Sequence, residues 1–171
     1  MSDRAEYRSG VGLVLINRQG LIFMGRRRDN RESPWQMPQG GLESGETCEQ
    51  AVFREMREEL GTDHALIADS RNDWLKYDYP SSDTSPRARR FKGQQHRWFL
   101  LHYLGKDEDI DLNTAHPEFS QWRWVPPALV TGQAISFKQD AYRQVISGFS
   151  YALQWKDHAD NEGNRLLHTL P

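Results

Sequence analysis

Three glutamates stand close together in the sequence at a spacing that suits the binding of metal ions. Glu55, Glu58 and Glu59 occupy positions i, i+3 and i+4, so in a helix their carboxylates would share one face. Like charges at this spacing repel by about 0.2–0.5 kcal/mol per pair, and a bound divalent cation would remove that cost. Mg²⁺ and Mn²⁺ prefer carboxylate oxygens and water as ligands. The alternative interpretation is an acidic amphipathic helix whose glutamates are merely solvated.

The residues around the glutamates predict the helix that would carry them. Thr47 and Gln50 have the spacing of an N-terminal capping box, and Gly61 is a natural C-terminal stop, so we expect a helix over residues 47–60. Four apolar side chains fall on one stripe that would pack against a core: Val52, Phe53, Met56 and Leu60. The three glutamates therefore lie on a second face, with Glu59 at the border of the apolar stripe.

The sequence pattern that surrounds this helix indicates a protein family more specifically than the glutamates alone do. Gly40 precedes Glu46 by six positions, Glu46 precedes Arg54 by eight, and Arg54 opens the run REMREELG. This spacing resembles the signature of the Nudix hydrolases, GX5EX7REUXEEXGU, in which U is an aliphatic residue. Eight of the nine specified positions fit: Gly40, Glu46, Arg54, Glu55, Met56, Glu58, Glu59 and Gly61. The ninth, Thr62, is not aliphatic, which concerns the docking of the helix and leaves the metal ligands unchanged.

Further stretches resemble one branch of that family, the bacterial RNA pyrophosphohydrolases and the related dinucleoside polyphosphate hydrolases. They extend from residue 7 to about residue 150: Tyr7-Arg8, Trp35–Gly41, Trp98–Leu101, Pro117–Phe119, Trp122–Val125 and Ser136–Lys138. The segment 86–92 and the C-terminal tail match least well. The resemblance thus covers most of the chain.

The resemblance implies a metal site and a set of catalytic residues. The implied ligands of Mg²⁺ or Mn²⁺ are the Gly40 carbonyl and the carboxylates of Glu55, Glu58, Glu59 and Glu118. Arg54 lies one turn before Glu58, so we expect it to hold the carboxylate face in place. Glu46 is implied as a supporting residue. Glu118 is implied as a base or a further metal ligand, although without the resemblance it would be interpreted as a simple loop carboxylate.

The resemblance also implies contacts to phosphates or to a nucleotide. The residues concerned are Arg8, Arg27, Gln39, Phe137 and Lys138. Phe137 matches an aromatic residue that can stack a base, with Arg27 on the other face of that base, an arrangement that tolerates any base.

The expected mechanism follows from charge. Cations on the glutamates would neutralise phosphate oxygens and lower the pKa of a bound water. The resemblance implies a metal-dependent hydrolase that cleaves the phosphoanhydride at the 5′-triphosphate end of RNA and leaves a 5′-monophosphate. One alternative is a hydrolase of dinucleoside polyphosphates such as diadenosine tetraphosphate. Another is a non-catalytic nucleotide- or RNA-binding Nudix module, which the retention of all three glutamates disfavours.

The segment between Pro80 and Gly93 is predicted to be a mobile basic loop. It carries four cations in six residues: Arg87, Arg89, Arg90 and Lys92. These charges would attract a polyanion and could follow an RNA strand downstream of its 5′ end. A solubilising insertion is the other interpretation.

The remaining sequence predicts one α+β domain. The chain has 171 residues, a net charge of −2 and a single cysteine, which is typical of a globular cytoplasmic protein without internal disulfides. Apolar runs bounded by turn residues predict strands joined mostly by hairpins, with a second long helix from Phe137 onward. Strands and helices in this order favour a sandwich, and the Nudix resemblance implies an α/β/α sandwich with a mixed sheet between helices. We expect the domain to span residues 1–155, followed by a polar, mobile tail at 156–171. No membrane span and no obligate protein partner are expected.

Overall fold

The chain folds into a mixed β-sheet with helices on both of its faces. The computed structural model describes residues 6–29 and 34–154, so the predicted tail at 156–171 lies outside the described residues. The strands are β1 (Tyr7–Ile16), β2 (Ile22–Arg27), β3 (Trp35–Gln36), β4 (Gln39–Gly41), β5 (Ala65–Ser70), β6 (Leu75–Asp78), β7 (Gly93–Tyr103) and β8 (Phe119–Val125). The helices are α1 (Cys48–Leu60), α2 (Pro86–Arg90), α3 (Pro127–Gln133) and α4 (Ser136–Gly148). The expected α+β sandwich is confirmed.

Strand β1 lies at the centre of the sheet. It pairs in parallel with β7 along its whole length, from Tyr7 opposite Gly93 to Ile16 opposite His102. On its other edge it pairs antiparallel with β2 and β4. The β2 edge continues to β3 and β8, and the β7 edge to β5 and β6. Among the described strands only β1–β2, β2–β3 and β6–β7 are consecutive antiparallel pairs. The expectation that hairpins join most strands is therefore wrong, and the parallel pair needs a long crossover.

Alternation along β1 creates two cores, one on each face of the sheet. Val11, Leu13 and Leu15 face the layer formed by α1, where they belong to one buried cluster. Val14 and Ile16 belong to the opposite cluster, together with residues of α3 and α4. All five side chains have no solvent exposure. A strand covered on both faces in this way reads as a continuous apolar run rather than an alternating one.

Helix α1 begins and ends where the sequence predicts. The Thr47 hydroxyl accepts a hydrogen bond from the Gln50 N–H (3.1 Å), and the Gln50 side chain accepts one from the Thr47 N–H (3.0 Å). Gly61 has φ of 71° and ends the helix in the left-handed conformation that favours glycine. Val52, Met56 and Leu60 are fully buried, so the apolar stripe packs on the sheet and fixes the direction of the glutamate face.

Two helices were not expected from the sequence. The predicted loop at 80–93 contains α2, in which Ser85 caps the first turn and Pro86 occupies a position where its missing N–H costs nothing. Pro127 likewise begins α3, although a proline pair suggests only the end of a strand. Residues 35–41 form two short strands, β3 and β4, which Met37 and Pro38 separate. None of the described helices is long and apolar enough to cross a membrane.

Candidate active site

One cleft collects residues from eight elements of the fold. It has a volume of about 760 Å³. On one part of its wall, which we call the carboxylate side, lie Gly40, Arg54, Glu55, Glu58 and Glu118. On another, the aromatic side, lie Gln39, Tyr77, Tyr79, Gln94 and Phe137. Strand β4 joins the two, because Gly40 contacts Glu55 and the neighbouring Gln39 side chain bonds to Tyr77.

Arg54 organises the carboxylate side. Its guanidinium donates to both oxygens of Glu46 (2.7 and 3.0 Å), to Glu55 Oε1 (2.7 Å) and to Glu58 Oε2 (3.1 Å). It also donates to the carbonyl oxygen of Gly41 (2.8 Å). The hydrogen bonds with Arg54 hold the pKa of Glu46 below its ordinary value. One arginine therefore fixes the orientation of several carboxylates without neutralising all of them.

Glycines let charged groups approach the backbone closely at this point. A Cβ on Gly40 would come within 1.9 Å of the Glu55 carboxylate, so any larger residue would displace that group. A Cβ on Gly41 would come within 2.3 Å of Nη2 of Arg8. The glycine pair thus brings an acidic group and a basic group against the same short strand.

Glu59 is the most confined of the glutamates. Its residue exposure is 3%, it does not line the cleft, and neither carboxylate oxygen has a hydrogen-bond partner in the described part of the chain. Burial, reinforced by the carboxylates of Glu118 and Glu55, raises its pKa well above the usual range. Burial likewise raises the pKa of Glu55, against the opposing effect of Arg54. Burial on this side thus disfavours the charged forms of Glu55 and Glu59.

The carboxylate side has the donor chemistry that a hard divalent ion prefers. Buried carboxylate oxygens without partners are expensive unless a cation accompanies them. As the side chains stand, no three of the described His, Cys, Asp and Glu residues converge in a way that could hold a metal ion. In this arrangement Arg54 engages Glu55 and Glu58. The residue types fit a metal, and the particular set of ligands stays a prediction.

A neutral hydrogen-bond network shapes the aromatic side. The Tyr77 hydroxyl donates to Gln94 Oε1 (2.6 Å), and Gln94 Nε2 donates to the Tyr79 hydroxyl (2.7 Å). Gln39 Nε2 donates to the Tyr77 hydroxyl (3.1 Å), while Gln39 Oε1 is buried without a partner among the described residues. The Phe137 ring lies 5.5 Å from that of Tyr77. These contacts hold the rings in place without charge.

Three of the cations that line or border the cleft lie between these two sides. Lys138 is buried, its Nζ donates to Gln36 Oε1 (3.3 Å), and burial lowers its pKa to about 8. Arg27 is held by Asp29 through two hydrogen bonds, Nε to Oδ1 (3.2 Å) and Nη2 to Oδ2 (2.7 Å). Arg8 lies against Gly41. The cleft therefore offers positive charge between its carboxylates and its aromatic rings.

The structure brings most of the sequence-predicted site residues to one cleft. Those that line it are Arg8, Arg27, Gln39, Gly40, Arg54, Glu55, Glu58, Glu118, Phe137 and Lys138. Glu46 and Glu59 do not line it: Glu46 acts through Arg54, and Glu59 is buried. Sequence reasoning missed Asp29, Tyr77, Tyr79 and Gln94. The alternation of Tyr77 and Tyr79 in the sequence was the available signal, because residues two apart in a strand share one face.

Comparison with known proteins agrees with this geometry. The chain belongs to the NUDIX domain family, which it matches over residues 6–146. It is similar to the RNA pyrophosphohydrolase of Zymomonas mobilis, with 44% identity over 154 residues, which cover 88% of this chain and 99% of that protein. The RNA pyrophosphohydrolase of Orientia tsutsugamushi is 48% identical over 145 residues, covering 84% and 89% of the two chains.

A solved structure supports the fold independently. That of the E. coli dihydroneopterin triphosphate pyrophosphohydrolase matches with a TM-score of 0.60 at 19% identity, covering 84% of this chain and 99% of that one. The predicted resemblance to Nudix pyrophosphohydrolases and the predicted fold are both confirmed. Enzymes of this family generally need divalent metal ions.

Proposed function

We propose that this protein is a metal-dependent hydrolase that cleaves the phosphoanhydride at the 5′-triphosphate end of RNA and leaves a 5′-monophosphate. The observation that carries the proposal is the cleft, which combines crowded carboxylates, a ring suited to base stacking and the cations Arg8 and Lys138. The relatives of 44–48% identity that bear the name RNA pyrophosphohydrolase support the same choice of substrate.

The proposed binding of the substrate depends on charge and base stacking. A triphosphate is a polyanion, and Arg8 and Lys138 offer positive charge within the cleft. Because burial lowers the pKa of Lys138 only to about 8, the Lys138 side chain is mainly protonated at neutral pH. Phe137 would stack a base of the substrate, and Arg27, oriented by Asp29, would cover the other face of that base.

The proposed hydrolysis depends on the glutamates. Gly40, Glu55, Glu58, Glu59 and Glu118 would hold Mg²⁺ or Mn²⁺, which supplies charge neutralisation at phosphate oxygens and a more acidic bound water. Arg54, positioned by Glu46, keeps Glu55 and Glu58 in place. Glu118 would accept the proton of the attacking water as the water oxygen bonds to phosphorus and the anhydride P–O bond breaks. Because RNA ends are processed inside cells, we further propose a cytoplasmic location, with no obligate protein partner.

Product analysis with two substrates tests this function. Chelator-treated protein is given Mg²⁺ or Mn²⁺ and either 5′-triphosphorylated RNA or diadenosine tetraphosphate, and the products are identified by chromatography. We expect conversion of the RNA end to a monophosphate with a higher kcat/KM than for diadenosine tetraphosphate. A preference for diadenosine tetraphosphate would favour the dinucleoside polyphosphate hydrolase. Binding of both substrates without turnover would favour the non-catalytic module.

A further inference from the structure

Glu118 lies at the end of a segment that has no regular structure of its own. Residues 113–118, which we call the Glu118 segment, form neither helix nor strand, and residues 115–117 at its middle are exposed to solvent. Glu118 shares the cleft with Glu55 and Glu58, and charged carboxylates repel each other. Other parts of the fold must therefore hold the Glu118 carboxylate in the cleft.

Arg28, the residue that follows β2, makes contacts at both ends of the Glu118 segment. Its backbone N–H donates to the Glu118 carbonyl oxygen (2.9 Å). Its side chain donates from Nε to the Phe119 carbonyl oxygen (3.1 Å) and from Nη2 to Asn113 Oδ1 (3.0 Å). One arginine therefore joins the start and the end of the segment through the rigid fork of its guanidinium.

An irregularity in the strand pairing accompanies this arrangement. In the pairing of β2 with β8, Arg26 lies opposite Gln121 but Arg27 lies opposite Phe119, so β8 has one extra residue at this point. Such a β-bulge bends a strand and changes the direction of the side chains that follow it. Arg27 lines the cleft, whereas Arg28 does not and contacts the Glu118 segment instead.

The start of the Glu118 segment is also attached to helix α1. The Thr114 hydroxyl donates to the Glu58 carbonyl oxygen, and the backbone N–H of Asp111, just before the segment, donates to the Leu60 carbonyl oxygen (2.8 Å). These contacts fix one end of the segment to the helix that carries the glutamates. The position of its other end relative to that helix then depends on Arg28.

We propose that Arg28 is a positioning residue that holds Glu118 at the carboxylate side of the cleft. This inference rests on the proposed function, in which Glu118 acts as a base or a metal ligand. Because Arg28 does not line the cleft, its effect on the reaction is transmitted through the Glu118 segment. Loss of the Arg28 side chain should therefore slow the chemical step and leave the binding of RNA unchanged.

Steady-state kinetics with 5′-triphosphorylated RNA test the proposal. Arg28→Ala is expected to lower kcat about 10-fold and to leave KM unchanged within about 2-fold, since a small displacement of a catalytic group is costly. Arg28→Lys should recover part of the loss, because lysine keeps a donor but lacks the fork that reaches two acceptors. An unchanged kcat in Arg28→Ala, or a loss that lies in KM, contradicts the proposal.

Arg97 provides the matched control. Its Nε donates to the Arg71 carbonyl oxygen (2.8 Å) and its Nη2 to the Ser70 hydroxyl (3.4 Å), and none of these three residues lines the cleft. Arg97→Ala therefore removes the same kinds of hydrogen bond at a place remote from Glu118. It should leave kcat within about 2-fold of wild type, whatever its effect on the melting temperature.

A double variant shows whether Arg28 acts through Glu118. In a Glu118→Gln background, measured under single-turnover conditions, Arg28→Ala should change the rate by no more than about 2-fold, because residues that act as a unit are not additive. A loss as large in this background as in wild type would mean that Arg28 affects the reaction by another route, and it would exclude the proposed role.

Hydrogen exchange separates this proposal from the proposed function. Exchange of the backbone amides of residues 112–119 is measured by mass spectrometry in metal-free protein without RNA. Arg28→Ala should accelerate this exchange about 5-fold, and Arg97→Ala should leave it unchanged. If wild type does not hydrolyse RNA, the proposed function fails while the exchange still decides whether Arg28 holds the Glu118 segment. Unchanged exchange in Arg28→Ala overturns the proposal whatever the activity.

Discussion

The carboxylate side and the aromatic side of the cleft are built by opposite means. On the carboxylate side one arginine holds several glutamates, and the buried Glu59 carboxyl has no hydrogen-bond partner among the described residues. On the aromatic side neutral hydrogen bonds around Gln94 hold Tyr77 and Tyr79, and the cations stand at the border. The first arrangement suits charge development during a reaction, because fixed charged groups need not reorganise. The second suits recognition of a nucleotide, because rings and cations tolerate many bases.

The largest effect should come from removing one carboxylate of the first side. We expect Glu58→Gln to lower kcat on triphosphorylated RNA by at least ~100-fold, the scale for loss of one charge-stabilising group. The measurement is phosphate or pyrophosphate release with saturating Mg²⁺. Glu49→Gln, in the exposed first turn of the same helix, is the matched control and should keep near-normal activity. Equal activity of Glu58→Gln and wild type would exclude this site assignment.

Truncation on the aromatic side should change binding instead of chemistry. Phe137→Ala is expected to raise KM for RNA about 10-fold, since stacking on one ring contributes ~1–3 kcal/mol. Its kcat should stay within a factor of about two, and Phe137→Trp should restore KM. Steady-state kinetics at several RNA concentrations distinguish the two constants. A fall in kcat with unchanged KM would contradict the division between the two sides.

The cost of burying the Glu59 carboxyl should be measurable without substrate. In metal-free protein we expect Glu59→Gln to raise the melting temperature by about 3–6 °C, corresponding to roughly 1–2 kcal/mol. A carboxyl whose pKa is raised in the folded state contributes less stability as pH rises above its unfolded pKa. The gain should therefore be larger at pH 8 than at pH 5. Added Mg²⁺ should stabilise wild type more than the variant, and a lower melting temperature for Glu59→Gln in metal-free protein would contradict this interpretation.

The smallest effect concerns the exposed Arg27–Asp29 pair. Asp29→Asn should lower kcat/KM on RNA by about 2–5-fold, because exposed ion pairs contribute ~0.2–1 kcal/mol. The Arg71–Asp73 pair has the same two-hydrogen-bond geometry and does not line the cleft. Asp73→Asn is therefore the matched control, and kcat/KM on RNA is measured for both variants by steady-state kinetics. Identical effects of the two substitutions would mean that Asp29 contributes only to stability.

The parts that depend on local sequence could be predicted. Helix α1 is specified within one stretch, since its capping residues, its apolar stripe and Gly61 all lie between residues 47 and 61. The glutamate spacing fixes which carboxylates share a face, because the helical repeat is the same in any protein. Eight of the nine signature positions then sufficed to predict the Nudix resemblance that the family match confirms.

Only the tertiary structure determined the contacts between residues that lie far apart in the chain. The parallel pairing of β1 with β7 brings Arg8 beside Gln94. No local sequence pattern predicts a pairing between residues so far apart in the chain. The burial of Glu59 depends on the sheet beneath α1. The position of Arg87 in the cleft wall depends on how α2 is anchored. A helix or a cap is determined by a few adjacent residues, whereas the wall of a cleft is determined by how the whole chain packs.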